Sequence, residues 1–203
     1  MTGQKRLLLD RAQILDAALA LLREKQNIRE LNLRSLAGAL GCSHANLYNY
    51  FSGADALLWA AHAALQPVLI DETDRRAAVA LAAGYDGLTA LFYATAELYV
   101  TCPGWFHLCW TAPLGGERPP QDIAAMRDAR ARLDGQAAAL LRTALPGISG
   151  KEVTEAMHVA HCFLVGEVSN YHAGRRQIDD AGLLIETAAK RAAKLFVLWA
   201  TKE

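Results

Sequence analysis

Residues 32–58 read NLRSLAGALGCSHANLYNYFSGADALL, and this stretch decides the fold of the N-terminal part of the chain. Asn32 can cap a short helix, because its side chain can accept hydrogen bonds from the open backbone N–H groups of the first turn. Gly41 can end that helix in the left-handed conformation, which glycine adopts without steric cost. Ser43 can then cap a second helix, so the pattern predicts two short helices joined by a tight turn.

The two predicted helices separate their apolar and polar residues. The apolar residues that can lock them together are Leu36, Ala37, Leu40 and Leu47, with Tyr48 and Phe51 on or beside the same face. The polar residues of the second helix are Ser43, His44, Asn46 and Asn49. A DNA-binding helix-turn-helix needs this division, because the polar start of its second helix faces base edges in the major groove. An ordinary helical hairpin is the alternative, although it needs neither the glycine turn nor an exposed polar start.

The rest of the chain also favours helix. The 203 residues include 53% hydrophobic and 21% charged residues, which suits one compact domain or two small ones that share a core. Alanine, leucine and straight-chain residues dominate and runs of β-branched residues are missing, so helical propensity is high almost everywhere. The sequence therefore predicts an all-α protein with about nine helices and no strand.

Glycine, proline and capping residues set the expected bounds of these helices. The first helix is expected from Leu8 to Lys25, and the fourth begins at Ala54 and is kinked or interrupted by Pro67. A fifth runs from Asp86 to Cys102, where Pro103 and Gly104 stop it, and a short aromatic helix from Trp105 to Trp110 and a loop from Pro113 to Pro120 follow. The last three helices are expected from Gln121 to Leu145, ended by Pro146 and Gly147, from a Ser149 and Glu152 capping box to Tyr171, and from Asp179 or Asp180 to Thr201.

Charge and targeting signals limit the function classes. The chain has 21 basic and 21 acidic residues, so bulk charge cannot hold nucleic acid, although a local basic site is possible. Only three leucines follow the basic pair Lys5 and Arg6, too few for the apolar core of a secretory signal, and no stretch is apolar enough to span a membrane. The cysteines form no CxxC pair. We expect a cytoplasmic protein, outside the membrane, with reduced and mostly buried thiols.

Over residues 8–60 the chain resembles the tetracycline-repressor family of bacterial transcription regulators. The matching residues are Ile14, Ala17 and Ala18 in the first helix, Leu36, Ala37 and Gly41 in the second helix and turn, and Leu47, Tyr48 and Phe51 in a Leu-Tyr-x-x-Phe signature. The resemblance implies a helix-turn-helix DNA-binding domain over 1–60 and an effector-binding and dimerisation domain over 61–203. It also implies a homodimer on a palindromic operator of double-stranded DNA.

One departure from the family concerns phosphate contacts. The family usually has a lysine at the start of its fourth helix, where this chain has Ala54, and no Lys or Arg lies between Ser35 and Ala60. We expect DNA binding less sensitive to salt than is usual for such proteins, because fewer counterions are released. Phosphate contacts are then expected from Tyr48, Asn49, Arg34, Lys5, Arg6 and Arg11.

Aromatic residues crowd the expected helix break near Pro103. The resemblance implies that this region walls a pocket for a small effector, and aromatic side chains with a few polar atoms favour an apolar or aromatic ligand. Core packing is the alternative for each of them. The expected ligand-binding residues are Tyr93, Tyr99, Trp105, Phe106, Trp110 and His161. Tyr99 to Gly104 also loosely resembles the WHG-type subset of the family, whose later His-Gly is Val165 and Gly166 here.

Two sets of cysteine and histidine residues are candidates for a metal site. They are His158, His161 and Cys162, and Cys102, His107 and Cys109. Neither set has a recognised ligand spacing, so we expect no metal site, and no cofactor motif is present. Nothing in the sequence supports a redox role for Cys42 in the turn.

Apolar stripes run along the last two expected helices. They comprise Val153, Met157, Ala160, Leu164 and Val168 on one and Leu184, Ala188, Ala192, Leu195 and Trp199 on the other. In a monomer these stripes can close the core. The resemblance implies that part of them meets a second copy in a four-helix bundle around a two-fold axis.

The leading hypothesis is a ligand-responsive transcriptional repressor that leaves its operator when the effector binds. A second hypothesis is an all-helical enzyme or carrier with a vestigial helix-turn-helix, which the missing lysine and the neutral charge would suit. No arrangement of nucleophile and base, phosphate-binding loop or paired carboxylates supports it. An activator, or a regulator without an effector, is the third.

Overall fold

The computed structural model describes residues 10–142, 148–175 and 177–201, and within these ranges the protein is all-α without a strand, as predicted. The helices are α1 (Arg11–Leu22), α2 (Leu33–Leu40), α3 (His44–Leu47), α4 (Ala54–Ala82), α5 (Gly87–Thr101), α6 (Pro103–Phe106), α7 (Pro120–Arg142), α8 (Gly150–His172) and α9 (Ala181–Thr201). A 3-10 helix at Ile28–Glu30 precedes α2, and a π-helical turn at His107–Thr111 follows α6. The expected end of α7 at Pro146 and Gly147 lies outside the described residues.

Capping residues that the sequence predicted begin two of these helices. The Asn32 side-chain oxygen accepts hydrogen bonds from the backbone N–H groups of Arg34 and Ser35, both at 3.0 Å. The Ser149 hydroxyl accepts one from the Glu152 N–H at 3.2 Å, and the Glu152 carboxylate accepts one from the Ser149 N–H at 3.0 Å. These bonds satisfy donors that a helix start leaves open, and they confirm the predicted capping box.

The structure tests two predictions about prolines. Pro67 does not interrupt α4, which runs from Ala54 to Ala82, and Pro67 is exposed. Buried leucines on either side, Leu65 and Leu69, favour a continuous helix strongly enough to offset one lost backbone hydrogen bond. Helix α5 ends at Thr101, before Pro103, as predicted, and Pro103 then begins α6, because the first position of a helix needs no N–H donor. The break itself is at Cys102, with φ −126° and ψ 65°.

The described residues fall into two compact units. The first contains residues 10–65 and 103–123, and the second contains residues 66–102 and 124–201. The described part of the predicted DNA-binding domain lies in the first unit. That unit also contains α6, the π-helical turn and the following loop.

In the first unit α1 packs on α2 and on α6, and α2 packs on α3. Its fully buried side chains include Ile14, Leu22, Leu36, Leu47 and Leu57. Gly104 permits the close approach of α6 to α1. Its N–H donates to the Arg23 carbonyl at 3.2 Å, and a Cβ at this position would overlap the carbonyl oxygen of Leu22.

In the second unit α8 packs on α9, and α5 packs on both. The Phe92 ring on α5 lies 6.0 Å from the Phe196 ring on α9, and both side chains are buried. Most of the predicted apolar stripe residues also face this core. The buried ones are Val153, Met157, Ala160, Leu164, Val168, Leu184, Ala188 and Ala192. Leu195 is half-buried and Trp199 is 53% exposed, so the stripes mainly close the core of a single chain.

None of the helices, so far as the structure describes them, combines the length and the apolar composition needed to cross a bilayer.

Candidate nucleic-acid interface

The turn between α2 and α3 is closed by backbone hydrogen bonds around Gly41. Gly41 has φ 64° and ψ 27°, the left-handed conformation that the sequence predicted. The Cys42 N–H donates to the Ala37 carbonyl at 3.0 Å, which satisfies an open acceptor at the end of α2. Leu36 on α2 and Leu47 on α3 are both fully buried where these helices pack together. The orientation of α3 is therefore fixed by its own turn and by core packing.

Helix α3 is a single turn that begins after Ser43. Ser43 occupies the N-cap position with φ −73° and ψ 141°, but its side chain makes no capping hydrogen bond. The sequence therefore predicted the N-cap position of Ser43 correctly, but the expected side-chain hydrogen bond is not formed. Because Ser43 is exposed, its hydroxyl can meet a ligand from outside.

Five of the side chains predicted to contact DNA lie on or beside α3 and are called here the polar face: Ser43, His44, Asn46, Tyr48 and Asn49. Four of them are exposed and Asn46 is half-buried. Tyr48 is 56% exposed, although the sequence placed it on the apolar side. The Asn49 amide donates to the Asn46 side-chain oxygen at 3.2 Å, and the His44 and Tyr48 rings meet edge to face at 6.3 Å. The polar face thus offers hydroxyl, amide and imidazole groups, which can bond to base edges and to phosphates.

The side chains predicted to bind phosphate through a positive charge differ in whether they already have partners within the protein. Arg34 is exposed in the first turn of α2 and forms no ion pair within the described ranges. Arg11 is already engaged, because its guanidinium donates to the Tyr50 carbonyl at 2.8 Å and lies 4.6 Å from the centre of the Phe51 ring. Lys5 and Arg6 lie outside the described residues. Arg11 thus ties the segment that follows the polar face to α1, and Arg34 is the freer charge.

The six residues predicted to bind an effector are divided between the two units. Trp105, Phe106 and Trp110 lie in the first unit, and Tyr93, Tyr99 and His161 lie in the second.

Trp105 packs against α1. Its indole N–H donates to the Leu19 carbonyl at 2.8 Å, and the guanidinium of Arg23 lies 5.4 Å from its ring centre. Trp105 is 7% exposed and Phe106 is 1% exposed. Core packing, the alternative at the sequence level, accounts for all of these contacts.

Tyr99 and His161 are in direct contact in the second unit. The Tyr99 hydroxyl lies 2.8 Å from His161 Nε2, and the His172 ring donates to the Tyr99 carbonyl at 3.0 Å. Burial lowers the pKa of His161 to about 4, and the positive charges of Arg130 and His158 act in the same direction. His161 is therefore neutral near pH 7. A neutral imidazole bonded to a phenol is a polar anchor that an uncharged ligand can share.

Tyr93 is a half-buried phenol of this unit. Its ring lies 5.1 Å from the Tyr85 ring. Burial raises the pKa of Tyr93, and the negative charge of Glu97 adds to the effect, so the hydroxyl keeps its proton at neutral pH.

The cysteines are free thiols that differ in exposure. Cys102 is buried, Cys42 and Cys109 are half-buried, and Cys162 is exposed with its sulfur 3.7 Å from His158 Nε2. Among the residues whose positions are described, no group of three or more His, Cys, Asp or Glu side chains is arranged to hold a metal ion.

A buried polar cluster in the first unit has no counterpart in the sequence predictions. The His62 ring contacts one oxygen of the Asp122 carboxylate, and the Arg118 guanidinium contacts the other. Trp59 donates to the Gly115 carbonyl at 2.8 Å. His62 is 4% exposed and Asp122 is 1% exposed. These contacts tie the predicted surface loop to α4 across about 60 residues of sequence, a separation that local patterns do not reveal.

Comparison of the chain with protein-family models and with curated proteins gave no match.

Proposed function

We propose that this chain is a DNA-binding transcriptional regulator of the tetracycline-repressor type. It acts in the cytoplasm as a homodimer, binds a palindromic operator, and is released by a small apolar or aromatic effector. It needs no metal or cofactor and catalyses no reaction.

The observation that carries this proposal is the polar face of α3. A one-turn helix is held by a left-handed glycine and by buried leucines, while its outward side chains are hydroxyl, imidazole and amide groups. Asparagine can bond in two places to adenine in the major groove, and each such pair discriminates by about 1–3 kcal/mol. The absence of Lys and Arg between Ser35 and Ala60 gives the interface a weak electrostatic component. Contacts with the bases then supply more of the DNA affinity than ion pairs with phosphates, so the affinity changes little with salt concentration.

The proposal is tested by selecting binding sites from random duplex DNA. We expect the wild-type protein to enrich a palindromic motif. His44→Ala and Asn46→Ala should each relax preference at particular base pairs at a cost of about 1–3 kcal/mol. Tyr48→Phe should weaken binding across all sequences, because it removes a phosphate donor without touching a base.

Matched controls come from α8 of the second unit. His158→Ala and Asn170→Ala remove exposed side chains of the same types outside the polar face, and both should leave the selected motif unchanged. If the wild-type chain enriches no motif at low salt, the proposed function is wrong. If His44→Ala and Asn46→Ala both return the wild-type motif, the polar face does not read the bases.

The proposed homodimer is supported by apolar side chains that the core of one chain leaves exposed on α9. These are Leu183, Val197, Leu198 and Trp199, each between 37% and 55% exposed. Light scattering at micromolar concentration should give about twice 22.0 kDa. Trp199→Glu should shift the protein toward monomer. Lys194→Glu, an exposed change on the same helix, should not. If the wild-type protein is a monomer in this measurement, the proposed dimer interface and the proposed palindromic operator are both wrong.

The proposed effector site is supported by the Tyr99 and His161 pair, which combines a neutral ring with a phenol. Tyr99→Phe keeps the aromatic area and removes the hydroxyl, so it should weaken the effector response while leaving ligand-free operator binding intact. Release requires that the ligand prefers the conformation that does not bind DNA. Trp110→Ala tests the aromatic residues of the first unit in the same assay. An unchanged response in both variants would exclude these residues from the site.

A further inference from the structure

An open cleft in the first unit lies between two segments that are far apart in sequence. Its volume is about 250 Å³. One wall is the segment from Gln26 to Arg29, which enters the 3-10 helix, and the other is the π-helical turn with Ala112 and Pro113. This volume lies below the range of sites for drug-sized molecules, so the cleft suits a compact ligand.

Arg29 gives the lining of this cleft a positive charge. Arg29 is exposed and, over the residues with described positions, takes part in no ion pair. The lining residues include no Asp or Glu. Glu30, the nearest acid in sequence, pairs with Lys25 at 3.0 Å. Arg29 is therefore an uncompensated positive charge beside amide and hydroxyl groups, an environment that attracts an anion.

Both walls of the cleft are anchored on the same helix. The first continues directly from the end of α1, where the Lys25 N–H donates to the Leu22 carbonyl at 2.9 Å. The second is held through Gly104, whose N–H donates to the Arg23 carbonyl, and through the Trp105 indole. The cleft is thus formed before any ligand arrives, which reduces the entropic cost of binding.

The π-helical turn presents its side chains in a fixed geometry. The Ala112 N–H donates to the His107 carbonyl at 2.9 Å and closes a five-residue turn. The His107 ring nitrogen Nδ1 lies 2.7 Å from the Thr111 hydroxyl, which fixes the ring across the turn. Turns of this type interrupt regular helices at functional sites more often than elsewhere.

We propose that this cleft binds a small organic monocarboxylate. The carboxylate pairs with the Arg29 guanidinium, where two parallel N–H donors match its two oxygens. The apolar part of the ligand lies against Ala112 and Pro113, and the Thr111 hydroxyl supplies a further polar contact. All residues of this site belong to the first unit, whereas Tyr99 and His161 belong to the second and are not part of the site. Carboxylate binding here does not depend on DNA binding.

Sodium benzoate, titrated into ¹⁵N-labelled full-length protein at constant ionic strength, tests this assignment. We expect saturable amide shifts in residues 26–29 and 107–113, with a dissociation constant of about 1 mM or lower. Benzamide, which has the same shape without the charge, should bind at least about tenfold more weakly, because a charge-assisted pair is lost. This comparison uses the wild-type protein and depends on no variant.

Arg29→Gln is the matching change in the protein. It should weaken benzoate binding at least about tenfold. Arg191→Gln removes another exposed arginine, which lies in the second unit and outside the cleft, and should leave binding within about twofold of wild type. Four results would each overturn the assignment: no saturable shift with benzoate, shifts centred on other residues, equal affinity for benzamide, or equal effects of the two arginine variants.

Discussion

The neutral, half-buried imidazole of His161 should make the stability of the protein depend on pH. Its pKa is lowered from 6.5 to about 4 in the folded chain. The unfolded chain therefore takes up a proton near pH 6.5, whereas the folded chain resists protonation until about pH 4. Between these values the unfolded state binds more protons, so acid favours unfolding. The stability that the neutral ring contributes is complete above pH 6.5 and is lost as the pH falls toward 4.

The size of this effect follows from the shift. Each pKa unit corresponds to 1.36 kcal/mol, so the full difference amounts to about 3 kcal/mol, and about 2 kcal/mol is already lost at pH 5. A domain of ordinary stability has about 5–15 kcal/mol, so a loss of this size is readily measured.

Urea unfolding at about pH 7.5 and about pH 5 measures this loss in wild type and in His161→Gln. The variant has no titrating ring at this position, so its free energy of unfolding should fall by about 2 kcal/mol less than that of wild type over this interval. His44→Gln removes an exposed imidazole from the first unit, away from His161, and should keep nearly the wild-type fall. Equal pH dependence in wild type and His161→Gln would refute the argument from burial.

Three further changes test the packing of the first unit by urea unfolding. Trp105→Phe should cost about 1–3 kcal/mol, because it removes the buried hydrogen bond to the Leu19 carbonyl and part of the ring; a loss under about 0.5 kcal/mol would mean that this bond is unimportant. Gly104→Ala should cost at least about 2 kcal/mol, since a methyl group cannot fit against the end of α1, and wild-type stability would contradict that close approach. Asp122→Ala should cost about 3 kcal/mol because it removes the buried carboxylate that the His62 ring and the Arg118 guanidinium both contact, whereas an unchanged midpoint would show that this carboxylate adds nothing.

The sequence predicted those parts of the fold that depend on near neighbours. Asn32 and Ser149 act within three residues of their own positions, and Gly41 acts through its own backbone angle. Such signals need no knowledge of the tertiary structure. The apolar spacing that buries Leu36 and Leu47 is local in the same way, so the position of α3 and most of its exposed polar residues could be predicted.

Contacts between distant segments could not be predicted from these patterns. The Trp105 indole meets a carbonyl 86 residues earlier, and the sequence only marked Trp105 as one aromatic residue among several. The sequence predicted a kink or an interruption at Pro67, because proline strongly disfavours the interior of a helix. Packing of the residues on both sides keeps the helix continuous. Arg11 looked like a phosphate ligand because it is basic and close to the motif. Its hydrogen bond to the Tyr50 carbonyl joins residues 39 positions apart, and it forms because the chain after α3 lies against α1.

These long-range contacts connect residues 103–123 to the polar face indirectly, through α1. The segment is fixed to α1 through Trp105 at one end and to α4 through Asp122 at the other. Arg11, on the same α1, holds the Tyr50 carbonyl just beyond α3. If the cleft binds the proposed carboxylate, the ligand contacts the same compact unit that carries the polar face, and α1 with its hydrogen bonds joins the two. Coupling of this kind needs a displacement of α1 rather than a change in the polar residues themselves.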